Sequence, residues 1–306
     1  MFAFIPTLLV VSFLIFFMVE LVPGDPASTM LGPEATGDQL ESAREQMGLN
    51  EPLHVRLASW YADALRGDLG RSFFLNQPVA EALVSRLPVT LSLTIMALAF
   101  SLIFGIGAGV IASIRQGKFT DWGIMLLAIL GLSIPIFWLA LNMIWLFSVR
   151  LGWFPTGGYV AFSESPVEFF RHLLMPAIAL GLVHTAVIAR MTRSSMLEVL
   201  RQDYVRSARA KGLNEWVVIA RHAFRNALIP IITIIGISAG EMLAGSVITE
   251  TVFNLPGVGR LIVDAVRRRD YPLVQGGILI ITVSYLIINL LVDLLYAWIN
   301  PRIRYQ

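Results

Sequence analysis

The sequence predicts an all-α integral membrane protein with about six transmembrane helices. Of its 306 residues, 56% are hydrophobic and 14% are charged, and the mean hydropathy is +0.72. An ordinary soluble domain carries charge on roughly a quarter of its residues, so this class is excluded. The chain has no cysteine, which excludes disulfides and thiolate metal sites.

Six apolar stretches predict the membrane helices, since a span needs about 20 mostly apolar residues. They cover about 3–22, 87–113, 122–149, 172–189, 227–249 and 273–299. The first stretch is interpreted as a membrane helix. Its apolar run is longer than the roughly 7–15 residues of a signal peptide, and no basic residue precedes it.

The segment 23–86 is too polar to enter lipid, and prolines and glycines divide it into short pieces. Helices are predicted over about 38–48 and 52–66, so the segment forms a small helical cap. The predicted organisation is a first helix plus cap (1–86), a transmembrane domain (87–299) and a tail (300–306).

Basic residues predict the orientation, because they mark the cytoplasmic side of a membrane protein. They are concentrated in loops 114–121 and 190–226 and in the tail, whereas segment 23–86 carries nine acidic residues. This pattern places both termini in the cytoplasm and the cap outside. The pI of about 9.1 is attributed to this topology and to contact with lipid headgroups, and no nucleic acid is expected as a partner. Four arginines oppose this orientation: Arg260, Arg267, Arg268 and Arg269.

The basic stretch from Arg190 to Pro230 is the most informative part of the chain. Between residues 194 and 211 the apolar residues Leu197, Leu200, Tyr204 and Ala208 recur at helical spacing. Gly212 permits the left-handed conformation that ends a helix, and Asn214 can cap a second helix starting at Glu215. Composition alone favours an amphipathic helix on anionic lipid. Two helices joined by a glycine turn favour a rigid unit that contacts a protein.

An ordered series of short motifs resembles the oligopeptide/dipeptide-type permease subunits of bacterial ABC importers, over nearly the whole chain. Two motifs lie in the basic stretch, at 203–212 (DYVRSARAKG) and 221–230 (RHAFRNALIP). The others are 23–26 (PGDP), 67–72 (GDLGRS), 86–91 (RLPVTL), 151–155 (LGWFP), 191–196 (MTRSSM), 250–253 (ETVF), 256–259 (PGVG), 269–272 (RDYP) and 300–302 (NPR).

The resemblance implies a type I ABC importer (MetI-like) permease fold with an external helical insertion after the first span. It implies a cytoplasmic coupling loop at 190–228 that seats in a cleft of an ATPase subunit. The residues carried over to that contact are Tyr204, Arg206, Ser207, Ala208, Arg209, Ala210, Lys211, Gly212 and Leu213. The wider superfamily begins this motif with Glu-Ala-Ala, whereas this chain has Arg-Ser-Ala at 206–208.

The implied partners are a second homologous permease subunit, one or two ATP-binding subunits and an extracytoplasmic substrate-binding protein. The implied location is the bacterial inner membrane. Di- and oligopeptides are the expected substrates, and nickel chelates, glutathione and sugars are alternatives. The chain lacks a Gly-x-x-x-x-Gly-Lys-Ser/Thr motif, so it is not expected to be the ATPase. No enzymatic activity or cofactor is expected.

Two other classes of protein are alternatives. A self-sufficient secondary transporter or channel would need several intramembrane charges or an inverted repeat, and neither is evident. An intramembrane hydrolase would use Ser238, which lies in a Gly-x-Ser-x-Gly match at 236–240. Helix packing through Gly236 and Gly240, as through Gly105 and Gly109, is the favoured interpretation.

Three polar residues within predicted spans are candidates for the translocation pathway: Glu241, Ser238 and His184. A charge near the middle of a span is costly unless it faces protein or water. Glu241 therefore either contacts a cationic or amine-bearing substrate or makes a structural hydrogen bond. For His184, a packing role is the favoured interpretation. The four histidines show no metal-ligand spacing, and no metal is expected.

Overall fold

A computed structural model describes residues 4–20, 26–32 and 35–299, and it is helical. The α-helices of these ranges are α1 Phe4–Glu20, α2 Pro26–Leu31, α3 Gly37–Gln46, α4 Leu53–Leu65, α5 Val79–Val84, α6 Leu87–Ile114, α7 Phe119–Ser133, α8 Ile136–Met143, α9 Pro166–Leu200, α10 Asp203–Ala210, α11 Glu215–Val217, α12 Arg225–Val252, α13 Val258–Arg268 and α14 Tyr271–Ile299. Two π-helical stretches, Ile144–Arg150 and Val218–Phe224, follow α8 and α11. No strand occurs in the described ranges, and the all-α prediction is confirmed.

Four helical runs in the described ranges are long and apolar enough to cross a membrane: Val79–Ile114, Pro166–Leu200, Glu215–Val252 and Tyr271–Leu294. A fifth is present if α7 and α8 form one broken span. The first predicted span corresponds to α1, whose apolar part Pro6–Phe17 is shorter. Within the described ranges each of the six apolar stretches is helical, apart from a break in the third, and by length four or five of them qualify as spans.

The third predicted span is broken in the middle. The axes of Phe119–Ser133 and Ile136–Arg150 differ by 99°. Ile134, between them, is extended (φ −87°, ψ 122°) and Pro135 caps α8. The cause is local, because the ring of a proline disfavours the helical conformation of the residue before it.

The chain divides into two compact units. The first comprises Met1–Thr90 and Pro256–Leu286, and the second comprises Leu91–Leu255 and Ile287–Gln306. Residues 300–306, which include the basic tail, lie outside the described ranges.

The predicted cap helices are present in the first unit. They are α3 and α4, and both are followed by glycines in the left-handed conformation: φ is +64° at Gly48 and +82° at Gly67. Glycine adopts this conformation without the steric cost that a Cβ atom brings. The six-residue helices α2 and α5 were not predicted from the sequence.

The hydrophobic core of the first unit explains the arginine-rich segment near residue 260. Val79 and Leu83 of α5 pack with Leu261 of α13 and Leu273 of α14. Helix α13 thus buries one face and leaves its basic residues on the other. Arg260 pairs there with Asp264 at 3.9 Å, and the guanidinium of Arg268 lies 3.4 Å from the ring centroid of Phe74.

Small residues bring α6 and α9 close together in the second unit. A Cβ atom on Gly109 would lie 2.6 Å from the carbonyl oxygen of Ala189 and 2.5 Å from the Cβ of Thr192. A Cβ atom on Gly105 would lie 2.9 Å from the carbonyl oxygen of Thr185. The packing interpretation of the Gly105/Gly109 pair is confirmed, since only glycine fits at these two positions.

Candidate coupling surface and intramembrane polar site

Helix α10 forms the first half of the predicted helix–glycine–helix unit. It buries Val205 and Ala208 against Val218, and Val199 and Leu200 pack against this cluster. These contacts give α10 a fixed orientation, because apolar side chains removed from water resist exposure by about 1.5–3 kcal/mol each.

The predicted apolar face of this segment is wrong in one respect. Helix α9 ends at Leu200, and Gln202 is extended (φ −71°, ψ 148°), so α10 begins a new register. Val205 therefore points inward and Tyr204 outward, with 44% of Tyr204 exposed. Its hydroxyl accepts a hydrogen bond of 3.0 Å from Nδ2 of Asn226. The periodicity that joined Leu200 to Tyr204 assumed one continuous helix.

The turn after α10 agrees with the prediction. Gly212 has φ +76°, and a Cβ atom built on it would meet nothing within 4 Å. Asn214 caps the next helix, since its Oδ1 accepts a hydrogen bond of 2.9 Å from the backbone N–H of Trp216. This helix starts at Glu215 and continues through the π-helical stretch into α12.

An ion pair closes the turn. Nη2 of Arg209 donates to Oε1 of Glu215 at 2.6 Å, and its Nε donates to Oε2 at 3.1 Å. The hydrogen bond to the carboxylate raises the pKa of Arg209 above its usual value. Because both side chains are about half exposed, the pair contributes at most about 1 kcal/mol. It adds a polar contact between α10 and the start of α11 to the apolar cluster around Val218.

We define the coupling surface as the exposed members of the residue set that is expected to contact an ATPase, with one exposed neighbour added. They are Tyr204, Arg206, Ser207, Arg209, Ala210, Lys211, Gly212 and Leu213, together with Trp216. Ala208 was also predicted to belong to it, but it is buried against Val218. Trp216, with 69% of its surface exposed, was not predicted to belong to this surface. The sequence signal for it is its position two residues after the cap Asn214, in the first turn of the second helix. The surface combines three cations with exposed apolar groups, and the exposed carboxylates of Asp203 and Glu215 lie in the same unit.

A buried ion pair lies near the same end of α9. Arg193 donates from Nε to Oδ1 of Asp121 at 2.6 Å and from Nη2 to Oδ2 at 2.7 Å. Oδ2 also accepts a hydrogen bond of 3.0 Å from the backbone N–H of Gly117. Only 5% of the Asp121 side chain is exposed. We refer to this contact as the Asp121–Arg193 clamp, because it joins the start of α7 to α9.

The three candidate pathway residues lie on α9 and α12. Nδ1 of His184 lies 3.8 Å from Oε2 of Glu241. Ser238 precedes Glu241 by three residues, or nearly one helical turn. His184 and Ser238 are buried, and neither His184 Nδ1 nor Ser238 Oγ has a hydrogen-bond partner. In contrast, 63% of the Glu241 side chain is exposed.

The surroundings of Ser238 do not fit a nucleophile elbow. Ser238 lies inside α12 and is buried, whereas a nucleophile elbow requires an exposed serine on a strand-to-helix turn. Gly236 packs against Val292, where a Cβ atom would meet the side chain at 2.6 Å. No group of three or more histidine or acidic side chains in the described ranges could hold a metal ion.

Family models match the two parts of the sequence. Residues 101–305 match the binding-protein-dependent transport system inner membrane component. Residues 1–94 match the N-terminal region of the membrane component of such systems.

Curated relatives match over nearly the full length. A Brucella abortus (strain 2308) protein, named as a candidate peptide transport system permease, is 47% identical over 302 residues, covering 99% of this chain and 96% of the relative. The dipeptide transport system permease DppB of Alkalihalophilus pseudofirmus is 43% identical, covering 98% and 96%. The glutathione transport system permease GsiC of Escherichia coli O6:H1 is 44% identical, covering 99% and 96%.

A solved structure supports the fold. An inward-facing form of the MetNI methionine ABC transporter matches with a TM-score of 0.60 at 17% identity, covering 72% of this chain and 96% of the other. The predicted MetI-like fold is confirmed. The chain therefore belongs to the family of binding-protein-dependent transport system inner membrane components, the permease subunits of ABC transporters.

Proposed function

We propose that this chain forms half of the translocation pathway of an ATP-driven peptide importer and couples it to partner ATPases. The partners are a second homologous permease, one or two ATP-binding subunits and an extracytoplasmic binding protein. The chain lies in the inner membrane, with both termini and the coupling surface in the cytoplasm.

The observation that carries the proposal is the rigid unit around Gly212. Two helices are held together by the Val205–Ala208–Val218 cluster and by the Arg209–Glu215 ion pair. The second continues into α12 through Val218–Phe224. Because the unit is packed, a push on the coupling surface moves α12 as well. ATP-driven closure of the ATPase subunits would supply this push.

The open space around the Gly212 Cα allows a substitution that changes the coupling surface without disrupting the packing of the chain. Since a Cβ atom there meets nothing within 4 Å in this chain, the backbone cost of Gly212→Trp is that of a left-handed residue, about 1–2 kcal/mol. Gly117 offers a matched control, because it has the same φ of +76° and its Cβ position is also open. Gly117→Trp thus costs the same strain in the other cytoplasmic loop.

The test uses the complete transporter in proteoliposomes, with tri-alanine as substrate. In Gly212→Trp, we expect normal insertion and a fall in ATP-driven uptake of at least ~10-fold, as is typical of a lost interface hot spot. In the same variant, liganded binding protein no longer stimulates the ATPase. Gly117→Trp retains both activities. Normal uptake by Gly212→Trp contradicts the coupling role, and absence of ATP-driven uptake in the unmodified transporter contradicts peptide import.

Glutathione is the second candidate substrate. The chain is 44% identical to a glutathione permease and 43% identical to a dipeptide permease, so overall similarity does not separate the two. A competition experiment tests whether glutathione is accepted as well: excess glutathione suppresses tri-alanine uptake if the transporter accepts both substrates and leaves it unchanged if it accepts only tri-alanine. The substrate specificity of the binding protein is expected to decide the outcome.

A further inference from the structure

The exposed face of α12 carries a charge where lipid cannot accept one. The exposed residues of this helix between residues 233 and 248 recur every three or four positions: Thr233, Ile237, Glu241, Ala244 and Ile248. This spacing places them on one helix face. Glu241 lies in its middle, and a carboxylate facing hydrocarbon costs at least about 2.5–3.5 kcal/mol. The face is therefore turned away from lipid in the assembled transporter.

The Glu241 carboxylate lacks a strong cationic partner within the chain. In the described ranges, no lysine or arginine forms an ion pair with it, and the nearest basic group is His184 Nδ1 at 3.8 Å. That distance is too long for a hydrogen bond. His184 Nδ1 is buried and unpartnered, as is the hydroxyl of Ser238. The Glu241 carboxylate and His184 Nδ1 thus lie close together with unfilled hydrogen-bonding capacity.

From this geometry we propose that Glu241 and His184 form a site for the ammonium group of a substrate in the translocation pathway. The carboxylate provides the charge, and the imidazole Nδ1 provides a second acceptor when the ring is neutral at that nitrogen. An ammonium group donates three hydrogen bonds and accepts none, which suits two acceptors separated by 3.8 Å. This inference rests on the proposed importer function, since it assigns a substrate group to that pathway.

A water-filled path accommodates an unpaired Glu241 carboxylate better than a subunit interface does. At an interface the carboxylate would be desolvated and would need a cation from the second permease, because an unpaired buried charge is strongly destabilising. In a path, water hydrates the carboxylate between transport events. Within this chain 63% of the Glu241 side chain is left uncovered, so the path can supply this water until the ammonium group arrives.

The absence of cysteine in this chain allows a direct test in the complete transporter, with the label measured on this subunit after it has been separated from its partners. Ile237→Cys introduces a thiol four residues from Glu241, about 6 Å away on the same helix face. Its labelling rates by a quaternary-ammonium and by a sulfonate methanethiosulfonate reagent are compared in membrane vesicles. Leu127→Cys, at an exposed apolar position of a different helix, α7, is the control.

We expect labelling at Ile237→Cys, with the cationic reagent favoured over the anionic one by at least ~5-fold beyond the ratio that the two reagents show with a free thiol in solution, as a unit charge at about 6 Å in a hydrated site predicts. Glu241→Gln, which keeps the shape and removes the charge, abolishes this preference, whereas Glu241→Asp retains it. A buried position that merely needs a hydrogen bond would not select between the reagents.

Three results would overturn the inference. The first is the absence of labelling at Ile237→Cys, which indicates that the face is covered by the second subunit. The second is a cationic-to-anionic rate ratio equal to that of a free thiol. The third is an excess preference for the cationic reagent that persists in Glu241→Gln. Should Glu241→Gln fail to insert, the reagent preference in the presence of Glu241 still decides. Because no substrate is used, these results do not depend on tri-alanine uptake, whose absence would contradict the proposed function separately.

Discussion

The Asp121–Arg193 clamp provides the sharpest stability prediction. Asp121→Asn retains the volume of the side chain but removes its charge. The amide can still accept one hydrogen bond, but its NH2 group faces a guanidinium that only donates. One charge-assisted hydrogen bond is lost, and Arg193 retains a partly desolvated charge.

The structure sets the magnitude of this effect. Removing one partner of a fully buried pair costs about 3–5 kcal/mol. Here 5% of the Asp121 side chain and 27% of the Arg193 side chain are exposed, so water compensates the arginine in part. We therefore expect a loss of about 2–4 kcal/mol. For a chain of this size, that corresponds to a fall of about 4–8 °C in the melting temperature.

The assay is thermal unfolding of the purified permease in detergent, with Asp63→Asn as the control. Asp63 pairs with Arg66 at 4.0 Å, and both side chains are more than half exposed. Its substitution should change the melting temperature by no more than about 1 °C, because exposed pairs contribute little. The reasoning is refuted if Asp121→Asn melts at the temperature of Asp63→Asn.

Two further predictions concern packing within each unit. Gly109→Ala places a methyl group against Thr192 and the Ala189 carbonyl and should lower the free energy of unfolding by about 1–3 kcal/mol. Gly107→Ala, whose Cβ atom meets nothing within 4 Å, should leave the thermal stability unchanged or raise it. Equal destabilisation by the two substitutions would contradict the α6–α9 contact. Asp270→Ala removes the carboxylate that accepts hydrogen bonds from the Ser72 hydroxyl at 2.5 Å and from the Phe74 N–H at 3.1 Å. Limited proteolysis between residues 67 and 77 should accelerate by ~10-fold, corresponding to about 1.4 kcal/mol. An unchanged cleavage rate would show that this contact does not hold the loop.

The sequence by itself determined the helical class, the family and the turn at Gly212. Each of these depends on local chemistry: long apolar runs can satisfy their backbone in lipid only as helices, glycine alone adopts φ of about +76° without strain, and Asn214 caps the next helix through its own side chain. The break at Pro135 is also local, although its angle of 99° required the structure.

Tertiary structure alone decided the contacts between helices. Asp121 and Arg193 are 72 positions apart, and nothing in their flanking residues indicates that they pair. The register change at Gln202, which turns Tyr204 outward, arises because α10 buries Val205 and Ala208 against Val218. Glu241 and His184 come together because α9 and α12 pack side by side. Such pairings follow from how helices pack against one another, and a periodic pattern within one helix does not contain that information.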